Sequence, residues 1–525
     1  MSGHIKNVVI VGGGSAGWLT AGVIASEHRL ANASQLNITL VESPTLPAIG
    51  VGEGTWPSMR MTLQRIGISE TDLIRECDAS FKQGTLFVDW KDRDKVQRYY
   101  HPFSLPLEYA SLNLASHWLN GRTPTSGSSP SFADYVTPQA RVAELGLAPK
   151  QAVTPEYAFN LNYGYHLDAT RFAKLLCKHV VGQLGVVHVQ ANVQKIEAAA
   201  NGDVTTLILD NGQRLVGDLF VDCSGVKSLL IGSHYQTPFK SLKSTLFNDR
   251  ALVVQVPYPI KDAPIASTTV STALSEGWVW DIGLQSRRGV GYVYSSAHAD
   301  ESKAHSLLAE YLAKTAPSSS LSDADFRAIS FEPGHYQQLW VNNCVAIGMA
   351  GGFIEPLEAS ALAMVEQAAA MIADQMPANR KLMDVVAKRF NEKMCYHWNS
   401  IVDFLKLHYV LSDRSDSQYW LDSRKLEFCS SALHERLSLW HQQPPWHDDA
   451  PRIDELFPSA SYQYVLYGMG FKPDSMSYSK HQFAQAVERA QRVVHANQKR
   501  LQGMVSALPS NRELINNIMA AGMPH

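Results

Sequence analysis

Three glycines near the N-terminus have the spacing of a nucleotide-binding loop. Gly12, Gly14 and Gly17 follow an apolar, β-branched run at residues 8–11 and precede a segment with a helical pattern at residues 18–26. In a GxGxxG sequence the first glycine allows a tight turn, the second lets the backbone approach a pyrophosphate, and the third lets the helix pack closely. Free amides at the start of that helix would bind the phosphates. We predict a dinucleotide site at Gly12, Gly13, Gly14, Ser15, Ala16 and Gly17.

A carboxylate follows the next predicted strand. Residues 36–41 form this strand, and Glu42 comes where an acidic side chain accepts hydrogen bonds from an adenosine ribose. The alternative is a glycine-rich turn that binds no ligand. Two later segments, 215–225 and 343–352, run from strand-like sequence into small residues, as in the large FAD-binding folds, and they favour FAD over NAD. The sequence has no second GxGxxG for a nicotinamide cofactor, so we expect reduced flavin to be supplied from outside.

One lysine lies in an otherwise uncharged neighbourhood. The alternation of residues 81–90 predicts a strand with Lys82, Gly84, Leu86 and Val88 on one face. An amine on an apolar face must be satisfied, and desolvation would lower its pKa, which suits a catalytic group. The alternative is an ordinary lysine whose ammonium reaches water from a sheet edge. The chemistry of the residue alone leaves both interpretations open.

A glutamate and two tryptophans are further candidates. Glu358 follows Pro356 at the predicted start of a helix over residues 359–376. Its ordinary role there would be to complement the helix dipole, and Glu355, three residues earlier, could be the structural partner of the pair. Trp278 and Trp280 alternate in a predicted strand, so they share one face, as a half-buried aromatic pair in any β-rich domain would.

The secondary structure predicted around these residues indicates an α/β fold: an FAD-binding Rossmann-like module with an added antiparallel sheet and a helical C-terminal substrate region. We expect the discontinuous FAD-binding module at residues 1–100 and 160–375, and the mainly helical substrate-binding region at 101–159 and 376–525. The local patterns predict helices at 166–184, opened by Asp168, and at 481–508, strands at 186–196, 205–209, 215–225, 251–256, 277–284 and 291–295, a hairpin turn at 210–212, and an exposed loop at 121–138.

Composition excludes several classes of protein. The 525 residues are 45% hydrophobic and 18% charged, which is enough apolar sequence for a large core and excludes dominant disorder. The net charge of −3 argues against nucleic acid as a partner. The six cysteines form no CxxC pair and no metal-ligand spacing, which indicates a reduced, cytoplasmic protein without a metal site. No apolar run is long enough to span a membrane, so we expect no membrane association.

Five segments together resemble the flavin-dependent halogenases of the tryptophan halogenase type, over nearly the whole chain. They are GGGSAGW from Gly12, VGEGTWP from Val51, SFKQGTLFVDW from Ser80, GWVWDI from Gly277 and GGFIEPLEAS from Gly351. The resemblance implies an FADH2-dependent halogenase that uses O2 and chloride or bromide. It implies that hypohalous acid, held by Lys82 and Glu358, halogenates an indole-like aromatic, and that a separate NAD(P)H-dependent flavin reductase supplies FADH2.

The resemblance also implies roles for individual residues. Lys82 and Glu358 would be catalytic, and the halide would bind amides at Ser360 and Ala361, where Ala361 replaces the glycine of the family. Trp278 and Trp280 would lie near the flavin, with Gly283 in place of the proline that ends the family's WxWxIP signature. His101 and Phe103 would stack on the substrate. The flavin would be lined by Gly52, Val193, Met349 and Leu362 in addition to the glycine loop and Glu42.

The C-terminal region departs from the tryptophan-specific members of the family. Tyr462 and Tyr464 match remnants of a lid over the substrate, but no carboxylate lies near them in sequence to grip an amino acid. Indole, an indole derivative or a larger tethered aromatic is therefore as good a candidate as free tryptophan. The helical C-terminal region offers a surface for a homodimer, although no motif requires one.

Two other functions remain open on the sequence. An FAD-dependent aromatic monooxygenase, a hydroxylase, would have the same glycine loop, with Trp278 and Trp280 as structural residues. It would oxygenate its substrate without halide. A flavin-binding protein that has lost catalysis would bind FAD without turnover.

Overall fold

The computed structural model describes residues 4–30, 36–45, 52–93, 97–121, 130–317, 321–474 and 480–524. Contacts divide the chain into two compact units, each built from three separate segments. The first unit contains Met1–Ala79, Leu167–Lys243 and Phe331–Asn399, and the second contains Ser80–His166, Ser244–Ser330 and Ser400–His525. The boundaries of these units differ from those of the predicted FAD-binding and substrate-binding modules. The assignment of a function to each module stays a prediction.

The main sheet of the first unit carries the glycine loop. Its six strands are, in order across the sheet, Trp340–Val341, Cys344–Ala346, Leu219–Asp222, Asn7–Val11, Asn37–Glu42 and Val187–Gln190. All neighbouring strands are parallel except the first pair. The central strand Asn7–Val11 is covered on both faces, so it is a continuous apolar run rather than an alternating one.

Further short strands complete the β-structure described for the first unit. They are Val193–Ala198, Val204–Leu209 and Arg214–Val216 in one sheet, Phe239–Ser241, Gly334–Tyr336 and Gly352–Phe353 in another, and Gly52–Gly54. The predicted hairpin at 210–212 is confirmed, because it joins two antiparallel strands and Gly212 has a φ of +81°.

Helices pack around the sheets of the first unit. They are Ser15–Leu30, Ser58–Ile66, Glu70–Glu76, Ala169–Leu184, Ala361–Asp374 and the first part of Arg380–Val410, with short turns at Gly225–Lys227, Leu229–His234, Gly348–Ala350 and Leu357–Ala359. The helix predicted at 166–184 begins at Ala169, because residues 166–168 belong to the strand Gly164–Asp168, but the predicted opening by Asp168 is confirmed. Its carboxylate accepts hydrogen bonds from the amides of Thr170 and Arg171 at 3.0 Å each, which satisfies donors of the first turn.

The second unit contains the predicted antiparallel sheet. Its seven strands are, in order, Arg327–Ser330, Arg250–Pro257, Arg287–Tyr294, Gly277–Gly283, Thr269–Leu274, Gly84–Val88 and Arg98–Pro102. Only the pair Thr269–Leu274 and Gly84–Val88 is parallel. The strand Thr269–Leu274 was not predicted. The short strands Ser80–Lys82 and Gly164–Asp168 also begin in this unit.

The helices of the second unit lie mainly in the C-terminal segment, as predicted. They are Leu114–Asn120, Phe132–Val136, Gln139–Glu144, Glu301–Thr315, Gln418–Ser423, Ser431–Trp440, Ser459–Gly468, Lys480–Ala507 and Asn511–Ala521, with short turns at Asp323–Asp325, Leu426–Phe428 and His447–Asp449. None of the helices in the described ranges is both long enough and apolar enough to cross a membrane.

Three predicted strands are each divided in two. The segment 81–90 forms Ser80–Lys82 and Gly84–Val88, so Lys82 does not share a sheet face with Gly84, Leu86 and Val88. Gly84 has a φ of +144°, which bends the chain between the two strands. The segments 186–196 and 215–225 are likewise divided, because in each the chain leaves one sheet for another. Alternation alone does not reveal such a change of sheet.

The prediction of an exposed loop at 121–138 is wrong for its described part. Residues 122–129 lie outside the described residues, but Phe132–Val136 is a helix with Phe132 and Val136 buried. The Ser131 hydroxyl accepts a hydrogen bond from the amide of Asp134 at 3.2 Å, and Pro138 caps the next helix. The serine and proline that suggested a loop therefore begin helices.

Candidate active site

The glycine loop has the backbone shape that a dinucleotide requires. Gly12 has a φ of +117°, and a Cβ there would overlap the carbonyl oxygen of Cys223. A Cβ at Gly17 would overlap the carbonyl oxygen of Gly12. By contrast, a Cβ at Gly14 would meet no atom within 4 Å. The loop therefore packs tightly against backbone atoms at Gly12 and Gly17, whereas the space at Gly14 is empty. This space lies beside the first amides of the helix Ser15–Leu30 and fits a pyrophosphate.

Glu42 lies at the end of its strand and next to the glycine loop. A Cβ at Gly13 would overlap the Glu42 side chain. The Oε2 atom of Glu42 lies 3.0 Å from Nε2 of the half-buried His188, whose ring meets Trp18 edge-on at 4.9 Å. His188 therefore orients the carboxylate assigned to the ribose. Sequence reasoning missed His188, because 146 positions separate it from Glu42.

Glu358 lies just before a helix rather than in its first turn. It belongs to the turn Leu357–Ala359, whereas the helix begins at Ala361, so the helix predicted to begin at residue 359 starts later. Glu358 has a φ of +68° and Ala359 a φ of +55°. Two consecutive left-handed residues that are not glycine cost about 1–2 kcal/mol each and persist only where the surrounding structure fixes them.

The segment that follows Glu358 offers amides to an anion. Within the described chain, the Ser360 side chain makes no capping hydrogen bond to the helix that begins at Ala361. The first amides of a helix have no partner inside the helix, so those at Ala361 and Leu362 are free of intrahelical bonds. This arrangement fits the predicted halide site. Leu362 and Met349, two predicted flavin-lining residues, also belong to this unit, as does Val193 at the start of its strand.

The segment from Gly52 to Ser58 contains a residue that sequence reasoning did not single out. The indole Nε1 of Trp56 donates a hydrogen bond to the carbonyl oxygen of Glu358 at 2.7 Å. Glu53 lies in the strand Gly52–Gly54, and burial of its carboxyl, followed by repulsion from Asp168, raises its pKa to about 7. Trp56 stands inside the quoted VGEGTWP segment, so its position could have suggested a role.

Lys82 is almost fully buried in the second unit. Its residue is 1% exposed, and its Nζ lies 5.4 Å from the centre of the Phe103 ring, so an ammonium is held against an aromatic face. The strand Ser80–Lys82 pairs with the strand Gly164–Asp168, with Lys82 opposite Gly164 and Ser80 opposite His166. The alternative of a lysine that reaches water from a sheet edge is thereby wrong, because its ammonium does not reach the surface of the described chain.

A buried histidine stands beside Lys82. His166 is fully buried, and its Nε2 lies 2.8 Å from the Thr269 hydroxyl. Burial first, and the charge of Lys82 second, hold the pKa of His166 well below its usual value, so its imidazole is neutral. A neutral ring leaves the positive charge of this cluster on Lys82. Sequence patterns did not point to His166, apart from its place two residues before Asp168.

The two tryptophans of the GWVWDI segment share one face of their strand, as predicted. Their ring centres are 6.3 Å apart, and both residues are buried within the second unit. Gly283, which replaces a proline of the family signature, accepts a hydrogen bond at its carbonyl from Ser80 at 2.5 Å. Trp280 packs against Gly291, where any Cβ would overlap its ring.

The predicted substrate residues divide into two groups. His101 lies with Nε2 2.9 Å from the Ser461 hydroxyl, and its ring centre is 6.0 Å from that of Tyr464. Tyr462, two residues from Tyr464 on the same helix, instead meets Phe404 and Trp440. The structure thus brings His101 and Tyr464 together and Lys82 and Phe103 together, whereas Tyr462 and Tyr464 contact different neighbours.

The described residues contain no group of three or more His, Cys, Asp or Glu side chains that could hold a metal ion.

Comparisons with known proteins agree on one class. A family model described as tryptophan halogenase matches residues 7–485. The chain is 47% identical to a solved tryptophan halogenase from Shewanella frigidimarina, with a TM-score of 0.94 over 99% of both chains. It is 30% identical to Xcc4156, a flavin-dependent halogenase from Xanthomonas campestris, with a TM-score of 0.87 over 99% of this chain and 100% of that one. It is 29% identical to tryptophan 7-halogenase RebH of Lentzea aerocolonigenes, over 98% of this chain and 99% of RebH.

The fold and the glycine loop define a flavin-dependent oxidoreductase. The chain belongs to the tryptophan halogenase family and is a flavin-dependent halogenase, which confirms the resemblance drawn from the five sequence segments.

Proposed function

We propose that the protein is an FADH2-dependent halogenase that uses O2 and chloride or bromide to halogenate an indole-like aromatic compound. The observation that carries this proposal is the burial of Lys82 against Phe103, beside a neutral His166. An ammonium that is buried against an aromatic ring suits a group that donates a hydrogen bond to a small neutral oxidant.

FAD would be held by the loop 12–17 and Glu42. In its reduced form, and together with O2, it would supply the oxidising power that converts the halide into hypohalous acid, with water as the second product. The amides at Ser360 and Ala361 bind the halide by the partial positive charge of the helix start. Ala361 carries a methyl group where the family has glycine. This group narrows the space beside the amides, so the site should discriminate between halides by size. Because the chain has no nicotinamide-binding motif, a separate NAD(P)H-dependent reductase would deliver reduced flavin.

Lys82 would hold the oxidant for the aromatic ring. Its Nζ donates a hydrogen bond to the oxygen of the hypohalous acid, which withdraws electron density from the halogen. The aromatic carbon then attacks the halogen, the oxygen–halogen bond breaks, and the oxygen leaves as water with a proton from Lys82. The Glu358 carboxylate accepts the proton that the ring carbon loses. His101 and Phe103 would orient an electron-rich ring by stacking.

The experiment compares two buried lysines of the second unit. Lys150 is fully buried like Lys82, but its Nζ donates to the carbonyl oxygen of Pro155 at 3.3 Å and lies against Phe81 and Tyr163. The wild type, Lys82→Met and Lys150→Met are incubated with FAD, a generic flavin reductase, NADH, and chloride or bromide. Indole, tryptophan and a tryptophan-containing peptide serve as substrates, and products are measured by mass spectrometry.

The wild type should give a product with the halogen isotope pattern. Lys82→Met should lower the halogenation rate by about 10²- to 10³-fold while FAD affinity is unchanged, because a group that acts in the transition state is lost. Lys150→Met should keep the activity. Equal activity of Lys82→Met and the wild type would contradict the role of Lys82. A product heavier by one oxygen atom and independent of halide would instead identify the hydroxylase, and FAD binding without any product would identify a flavin protein without catalysis.

A further inference from the structure

The backbone at Glu358 and Ala359 is strained, because both residues have a positive φ and neither is a glycine. Rotation of the peptide group between them would return Ala359 to a negative φ, but it would leave Glu358 at a φ of +68° with ψ at about 180°, a region that is essentially restricted to glycine. The strain is therefore relieved only when both residues leave the left-handed region together. The observed orientation must therefore be fixed by contacts on this peptide group.

Two hydrogen bonds hold the peptide group in the observed orientation. The Trp56 indole donates to its carbonyl oxygen at 2.7 Å, and its amide, at Ala359, donates to the carbonyl oxygen of Pro356 at 3.0 Å. Relaxation of the two residues out of the left-handed region would break both bonds.

The indole is itself anchored to the helix that follows Glu358. Pro57 and the helix Ser58–Ile66 come directly after Trp56. Within that helix, the hydroxyls of Ser58 and Thr62 donate to the carboxylate of Glu366 at 3.0 and 2.5 Å. Glu366 belongs to the helix Ala361–Asp374. Three hydrogen bonds thus join the segment that carries Trp56 to the segment that carries Glu358, all within the first unit.

We propose that Trp56 is a positioning residue for Glu358, and that its indole hydrogen bond keeps Glu358 and Ala359 in their left-handed conformation. This inference rests on the proposed function for the role of the Glu358 carboxylate. The ordinary alternative is a half-buried indole that merely satisfies its N–H on the nearest carbonyl. These two roles of Trp56 predict different results. If Trp56 positions Glu358, loss of its N–H affects the function of Glu358, whereas an ordinary structural indole affects only the stability of the first unit.

The test removes the N–H and keeps an aromatic ring. Trp56→Phe should lower kcat about 10- to 100-fold at saturating halide, because misplacement of a reacting group has costs of that size. FAD affinity should not change. Trp398→Phe is the matched control, since Trp398 is a buried tryptophan of the same unit whose indole nitrogen has no hydrogen-bond partner among the described residues. That variant should retain the wild-type kcat.

A double-mutant cycle separates positioning from general stabilisation. If Trp56 acts through Glu358, then Trp56→Phe should cause no further loss of kcat in a Glu358→Gln background. Losses that multiply would overturn the proposal. Ala359→Gly should restore much of the kcat of Trp56→Phe, because glycine tolerates the left-handed φ and removes the strain that favours relaxation of the pair. Failure of this rescue would also count against the proposal.

Hydrogen exchange gives a readout that does not depend on activity. The amide of Ala359 loses its bond to Pro356 when the left-handed pair relaxes, so peptides that cover residues 357–363 should exchange faster in Trp56→Phe but not in Trp398→Phe. Unchanged exchange would overturn the proposal. If Trp56→Phe does not fold, Trp56→Leu, which also lacks a side-chain donor, replaces it in every comparison. Absence of halogenated product from the wild type would contradict the proposed function alone, since exchange still tests the hydrogen bond.

Discussion

The nucleotide loop of the first unit and the Lys82 cluster of the second unit are built in opposite ways. The loop depends on backbone shape, because Gly12 and Gly17 have no room for a side chain. The Lys82 cluster depends on side chains: the Lys82 ammonium lies against the Phe103 ring, and the His166 ring contacts the Thr269 hydroxyl. We therefore expect substitution of a functional side chain in the second unit to change activity more than FAD binding. In the glycine loop, one added methyl group should change FAD binding first.

The largest effect should come from the glycine loop, where two similar substitutions are expected to differ. Gly17→Ala places a Cβ on the carbonyl oxygen of Gly12 and should lower both the melting temperature and FAD affinity, the latter by more than about 100-fold. Gly14→Ala has open space for its Cβ and should keep the melting temperature while it lowers FAD affinity. Flavin fluorescence and thermal unfolding measure the two quantities. If both variants behaved alike in both measurements, the loop would not be a backbone-defined site.

An intermediate effect is expected at the predicted substrate residues of the second unit. His101→Ala should lower kcat/KM for indole about 10-fold through loss of ring stacking and orientation, with little change in FAD affinity or stability. Ser461→Ala removes only the hydroxyl 2.9 Å from the His101 ring and should have a smaller effect. Steady-state kinetics with indole as the varied substrate measure this difference. A large drop in FAD affinity for His101→Ala would remove the contrast between the units.

The smallest effect concerns stability in the first unit. Burial raises the pKa of Glu366 from 4.5 to about 7, against the lowering effect of its bonds from Thr62 and Ser58. The folded chain therefore binds more protons than the unfolded chain between these values, so the free energy of unfolding falls as pH rises from about 4.5 to 7, by at most about 3 kcal/mol. Glu366→Gln should lose this part of the pH dependence.

Thermal unfolding of the wild type and Glu366→Gln at pH 5 and pH 8 measures that difference. The variant should be more stable than the wild type at pH 8 and closer to it at pH 5. Glu488→Gln, at an exposed position of the helix Lys480–Ala507, serves as the control and should follow the wild type. Parallel curves for Glu366→Gln and the wild type would show that Glu366 does not titrate in this range.

The outcome of the sequence predictions differs between the same two regions. The glycine loop, its flanking strand and helix, and the cap at Asp168 were predicted because local backbone requirements leave a local signature. The break after Lys82 and the true start of the helix after Glu358 were not predicted, because a change of sheet at Gln83 or a left-handed pair at 358–359 depends on distant contacts. The indole of Trp56 is one such contact, 302 positions away in the chain.

The class of fold, the flavin loop and the family follow from the amino-acid sequence, because the glycines, the apolar strands and the five motifs are each continuous in the chain. Three other features are visible only in the folded protein: the Lys82 ammonium is buried against Phe103, His166 is its neutral neighbour, and His188 contacts Glu42. Burial and pairing of this kind arise when segments from separate parts of the chain pack together. The energy of a charge depends on those surroundings and not on the identity of the neighbouring residues in sequence.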